Sequence, residues 1–209
     1  MMKIESLKEK ADRSGRHWIT FSDGTKMPLY RQTIQDFGLY AGMELSQEQW
    51  EHLREAAGAM SAKMRAVRIV SATSVSQKDL QQRLVQKGED PRQAADAVAW
   101  MAELKLVDDG ETARQIVERC AAKGYGIARA KQALYEKKIP KQYWEGALAD
   151  YPDQSEQIFA FLSAKLDDQS DQKQIKKAID ALLRRGHSYS QIRDALSRLY
   201  LELDDFSGD

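Results

Sequence analysis

LKLVDDGETARQIVERCAAKGYGIARAKQALYEKKI, residues 104–139, holds the grammar of the whole chain: a helix end, a capped helix, a glycine stop and a second helix. Asp108 or Asp109 supplies a carboxylate that accepts from the first free backbone N–H groups of a helix. Apolar side chains then fall at Ala113, Ile116, Val117, Cys120 and Ala121, the i, i+3, i+4, i+7, i+8 stripe of one helical face. Gly124 provides the left-handed residue that commonly ends a helix. A second amphipathic segment follows, with Ile127, Ala130 and Leu134 expected to point inward. Pro140 suits the first turn of a third helix, where its missing N–H costs nothing.

The same grammar recurs on both sides. Leu84, Leu134 and Leu182 stand 50 and then 48 residues apart. Four residues before them lie Leu80, Ala130 and Ala178, and four after lie Gly88, Lys138 and Gly186. The pairs Ala97-Val98, Ala147-Leu148 and Ala195-Leu196 share one further offset. A period of that size, carried by helices, predicts a helical repeat array. The first helices of the three units are expected near 60–72, 110–123 and 153–166.

The first sixty residues change register. Residues 1–14 are polar and read as a frayed end. Over 16–31, Ile19 and Phe21 alternate with Trp18, Thr20 and Ser22, Asp23-Gly24 signals a turn, and Lys26–Tyr30 returns antiparallel. Pro28 confines that second strand to an edge. A short helix at 32–37 and a Gly38…Gly42 loop precede Ser46 and Gln49, which fit a capping box. Gly58 is expected to interrupt the helix so opened, with a second run from Ala59 to Ala72. The expected fold is mainly α: three tandem three-helix repeats in an elongated, curved array, with a small β-hairpin module in front. Its boundaries are 1–58 for the module, 59–107, 108–150 and 151–203 for the repeats, and 204–209 for an acidic tail.

Composition narrows the function. Charged residues make up 31% of the 209, with few Gly and Pro, which suits long solvated helices. The net charge of zero hides a gradient: residues 61–150 carry 16 basic and 12 acidic groups, and residues 151–209 carry 8 and 11. The single cysteine, Cys120, cannot form an internal disulfide and reads as a packed core residue of a reducing compartment. No stretch approaches the ~20 apolar residues of a membrane span, and no signal-peptide pattern opens the chain, so a cytoplasmic protein is expected. His17, His52 and His187 are scattered without metal-ligand spacing and read as surface or turn residues. Trp18, Trp50, Trp100 and Trp144 read as packing, and Asp108-Asp109 as capping. No phosphate loop, nucleophile elbow or zinc motif is present, so neither enzyme nor cofactor is expected.

The cations of the middle unit carry the site expectation. Arg119 and Lys123 are four apart and share a helical flank. Arg114 lies on the same helix, and Arg129, Lys131, Lys137, Lys138 and Lys141 follow within one turnaround. A solvated face and a surface for a polyanion or an acidic protein groove both fit this pattern.

These residues resemble the RecX family, regulators of the RecA recombinase. The resemblance rests on Val107-Asp108-Asp109…Ala113, then Arg119, Gly124, Ile127 and Leu134 up to Ile139. The first unit adds Ser71, Ser76…Asp79-Leu80…Leu84…Lys87-Gly88, and the third adds Leu182…Arg185-Gly186…Ile192…Leu196. It covers roughly 61–200, and the hairpin segment is similar to an extension found in some members. Thr112 departs from the family pattern where an aromatic is usual, Lys105 and Lys138 where glycine is common, and Thr73 and Val75 where basic or aromatic residues are frequent. The resemblance implies three tandem three-helix repeats and no enzymatic activity, and a monomer is expected. It also implies binding to RecA filaments on single-stranded DNA, with inhibition of strand exchange and ATP hydrolysis, in DNA repair and SOS control. DNA alone, single- or double-stranded, is a weaker partner on this reading. The residues themselves also accommodate a helical-repeat nucleic-acid binder without RecA, or a general interaction scaffold.

Overall fold

The computed structural model describes residues 2–167 and 169–206, the last six by backbone alone. Its contacts divide the chain into two compact units, Met1–Val107 and Asp108–Asp209.

The first unit opens on a sheet larger than a hairpin. Strands β1 (Met2–Leu7), β2 (Arg16–Phe21), β3 (Lys26–Tyr30) and β4 (Glu44–Leu45) lie in the order β3-β2-β1-β4. All the paired neighbours are antiparallel. The expected hairpin is there, with Ile19 opposite Met27 and Pro28 on an edge strand. Residues 2–7, read above as frayed, form an inner strand instead. Ile4 pairs with Phe21 on one side, Lys3 with Glu44 on the other, and Ile4 is fully buried.

Helix α1 (Arg31–Asp36) leads through Gly38 and Gly42, both at positive φ, to β4. Helix α2 (Gln47–Ala72) starts at the expected capping box, with the Gln49 N–H donating to Ser46 Oγ and the Ser46 N–H to Gln49 Oε1. It then runs unbroken for 26 residues, so Gly58 ends nothing and the 58/59 boundary falls inside a helix. The glycine serves packing: a Cβ there would strike the side-chain amide of Gln93, which donates to the Glu55 carbonyl at 3.2 Å. One end of α2 closes the sheet core through Trp50 and Leu53, Trp50 meeting Phe21 edge to face at 4.7 Å. The other end, through Ala62 and Ala66, closes a helical core with α3 (Gln77–Gln86) and α4 (Pro91–Glu103).

The second unit holds two further three-helix sets. In the first, α5 (Asp109–Ala122) and α6 (Ile127–Glu136) precede a 3-10 turn, Lys141–Tyr143, that runs into the short α7 (Trp144–Leu148). Pro140 caps that turn rather than sitting inside a helix. In the second, α8 (Ser155–Ser163), α9 (Gln172–Arg184) and α10 (Tyr189–Phe206) surround Ile158, Leu162, Leu182 and Ile192. The tail expected at 204–209 is helical to Phe206, and residues 207–209, like Asp168, lie outside the described residues.

The repeated leucines close the same turn three times. The N–H of Glu89 donates to the Leu84 carbonyl, that of Ile139 to Leu134 and that of His187 to Leu182, at 3.1, 3.0 and 3.2 Å. In each closure the residue just before the donor, Gly88, Lys138 or Gly186, is left-handed. All three leucines are at most 1% exposed.

Candidate partner-binding surface

The α5–α6 pair positions the cations singled out in the sequence. Asp108 is the cap: its Oδ1 accepts from the Glu111 N–H at 2.9 Å, while Asp109 is a buried first-turn residue. Ala113, Ile116, Val117 and Cys120 then face the core with Ala130, Leu134 and Ile139. Burial pushes the Cys120 thiol above its ordinary range, as befits a packed rather than a reactive cysteine. Because the apolar stripe takes one side of α5, Arg119 and Lys123 are left exposed on the other.

Ile127 differs from its expected inward place and is 42% exposed. The first turn of α6 is held by backbone, with Gly126 N–H donating to the Arg185 carbonyl and Ala128 N–H to that of Gly186. That docking turns the Ile127 side chain outward.

The eight cations are not equivalent. Arg114 is tied to Glu111 at 2.6 Å; this pairing raises the Arg114 pKa, and the bonds from Arg114 and Gln115 lower that of Glu111. Arg129 reaches Glu136 at 3.2 Å, and bonds from Gln132 and Arg129 hold that carboxyl low. Arg119 folds its Nε–H back onto the Gln115 carbonyl at 3.0 Å. Lys123, Lys131, Lys137 and Lys141 stand exposed, and Lys138 is half-buried at the left-handed turn. Of the aromatics among them, Tyr135 is open to solvent at 69% exposure, whereas Tyr125 and Tyr143 pack on the core. Among the described residues no group of three His, Cys, Asp or Glu is arranged to hold a metal.

Two features escaped the sequence. His187 is a buried junction residue, not a surface one: its Nε2 lies 3.1 Å from the Gly124 carbonyl. A carbonyl only accepts, so Nε2 carries the proton and the buried Nδ1 is bare and without a partner. Burial, aided by Arg185, lowers the His187 pKa against the raising effect of that bond. The second feature is a groove of about 520 Å³ in the first unit, where Arg16, Arg65, Arg68, Arg83 and Lys87 converge. Arg65 and Arg68, three apart on a helix, gave a local hint; Arg16 is brought in only by the sheet.

The architecture defines a mainly helical protein of successive three-helix sets. No protein-family model matches the chain. The regulatory protein RecX of Vibrio parahaemolyticus is 30% identical over 146 residues, covering 66% of this chain and 91% of that one. The RecX of Clostridioides difficile is 26% identical over 210 residues, 98% of this chain and 97% of its own. A crystal structure of a regulatory protein RecX matches 93% of this chain and all of its own, with a TM-score of 0.64 at 21% identity. That of RecX from Lactobacillus salivarius covers 70% of this chain at a TM-score of 0.62. The chain belongs to the RecX family of regulatory proteins. Among the described residues no helix is long and apolar enough to cross a membrane.

Proposed function

We propose that this protein is a cytoplasmic, monomeric regulator of the RecA recombinase. It binds the RecA–single-stranded-DNA filament and slows strand exchange and ATP hydrolysis, in DNA repair and SOS control, acting by binding rather than catalysis. The observation that carries the reading is the likeness to RecX of Vibrio parahaemolyticus across nine-tenths of that protein. The α5–α6 surface is the contact favoured by charge. Arg119 and Lys123, with Lys131 and Lys141, are exposed, whereas Arg114 and Arg129 are internally paired and contribute less. A filament offers both phosphates and acidic protein surface to such a flank.

The test is RecA ATPase on single-stranded DNA with the Arg119→Glu/Lys123→Glu variant against a Lys3→Glu/Arg54→Glu control of equal charge change. Inhibition should weaken and depend less steeply on salt in the first alone. Equal weakening in both would reduce the contact to net-charge attraction, and absence of inhibition by the unaltered protein would refute the RecA reading.

A further inference from the structure

The groove in the first unit lies where β2, α2 and α3 meet. Arg16 comes from the sheet, Arg65 and Arg68 from successive turns of α2, and Arg83 and Lys87 from the end of α3. Its floor is apolar, from Ile69 and Ala72.

Each arginine is held by a partner that is not itself part of the lining. Asp12 takes Arg16 at 2.8 Å, Glu89 takes Arg65 at 2.6 Å and Asp79 takes Arg83 at 2.9 Å. Glu89 and Asp79 are buried, and the Arg16 backbone N–H and guanidinium bring the Asp12 pKa down to about 2, so that carboxylate stays ionised. Arg68 is held differently, its Nη2 donating to the neutral Tyr30 hydroxyl at 2.8 Å. Five cations against three carboxylates leave an excess of two, and the lining itself carries only cations. The carboxylates fix one edge of three of the guanidiniums, Arg16, Arg65 and Arg83, and a guanidinium so held keeps further N–H groups for a ligand.

We propose that this groove binds the phosphate backbone of single-stranded nucleic acid. The regularity of the charge favours a nucleic acid over an acidic protein segment. A volume of 520 Å³ corresponds to a space about 10 Å across. A single nucleic-acid strand carries a phosphate on every nucleotide, each with two unbridged oxygens that accept from guanidinium N–H groups, so successive phosphates can meet successive cations. A protein segment is anionic only where its sequence places an Asp or Glu, and each of those carboxylates must be ordered on a flexible side chain to reach the cations. Contacts of this kind read backbone and not bases, so binding is insensitive to sequence. The proposal deepens the filament reading by assigning a strand contact to the first unit, and it rests on that reading only for the choice of DNA over RNA.

The experiment uses the full chain, without RecA, and a fluorescent oligo-dT read by anisotropy. Arg68→Gln/Lys87→Gln removes two exposed cations without stranding a buried carboxylate, and Lys87→Gln alone leaves the Arg68–Tyr30 bond intact. Lys10→Gln/Lys26→Gln, on exposed sites outside the groove, is the control, and thermal melts check folding. The double variant should bind about tenfold more weakly or worse, with the salt slope reduced by about 1.4, since each single-strand contact contributes about 0.7. The single variant should fall between, and the control should match the unaltered protein. Unchanged affinity in the groove variants, or no oligo-dT binding by the unaltered chain, overturns the proposal. So does tighter, groove-dependent binding of a poly-glutamate peptide, which would make the ligand an acidic protein. RecA ATPase inhibition, measured separately, reports on the filament reading whichever way this comes out.

Discussion

Gly126→Ala tests the junction between the two helical sets of the second unit. Gly126 has an ordinary φ of −75°, so alanine meets no backbone strain there. A Cβ at this position would instead press into the Gly186 carbonyl and the His187 N–H, which are backbone and cannot rotate away. The contact they form is bonded, Gly126 N–H to the Arg185 carbonyl at 2.9 Å and Ala128 N–H to the Gly186 carbonyl at 3.3 Å. Overpacking of this kind costs typically 1–3 kcal/mol, occasionally more. Restricting the unfolded chain returns about 0.4–1 kcal/mol. The net expectation is a loss of roughly 1–2 kcal/mol, or several degrees of Tm for a chain of this size. Gly146→Ala is the internal comparison: it sits in α7 with nothing within 4 Å, and helix propensity alone should stabilise it by up to about 1 kcal/mol. Urea midpoints by circular dichroism give both values, and amide exchange at Ala128 reports the junction directly. Equal midpoints for Gly126→Ala and the unaltered protein, with Ala128 still protected, would show that the two backbones do not approach as described.

Leu134→Ala should cost about 2–5 kcal/mol, because the side chain is fully buried at the centre of its helical set; a loss under about 0.5 kcal/mol in denaturant melts would contradict that burial. Lys138→Gly should raise the midpoint by several tenths of a kcal/mol, since φ of 56° strains a residue bearing a Cβ; a lower midpoint would mean that the lysine's own contacts outweigh the strain. His187 should make stability fall on acidification. Its folded pKa lies below the unfolded value of about 6.5, so its contribution is complete above that pH and is lost as the pH drops through it toward the folded pKa. Urea midpoints at pH 8 and pH 5 should converge more in His187→Gln than in the unaltered protein, and an identical pH dependence in both would show that His187 is not the group responsible.

The helical part was legible because its signals are local. Ser46 with Gln49, Asp108 and Gly124 each act within one turn, and the leucine register needs only a count. The strand at residues 2–7 was not, because its partners lie far along the chain and Ile4 is its one fully buried side chain. Gly58 misled for a related reason: the side chain packed over the glycine, Gln93, lies thirty-five residues away. Ile127 obeys the helical period and is turned out by a backbone contact with 185–186. The α5–α6 cations were visible as a cluster in sequence, but the pairing of Arg114 and Arg129 needed Glu111 and Glu136 in place. The groove needed more still, since β2, α2 and α3 had to meet before Arg16 joined Arg65 and Arg83.

Helix α2 sets a phase as well as a distance. Trp50 and Leu53 address the sheet, Ala62 and Ala66 address the helices, and nothing between them can absorb an added residue. One insertion turns the second face by about 100° relative to the first. Seven come within about 20° of two full turns, yet lengthen the helix by about 10 Å, enough to lift Arg68 away from Tyr30. Length variation among relatives should therefore spare 47–72 and collect in the connections, such as 8–15, where an extra residue leaves both faces aligned.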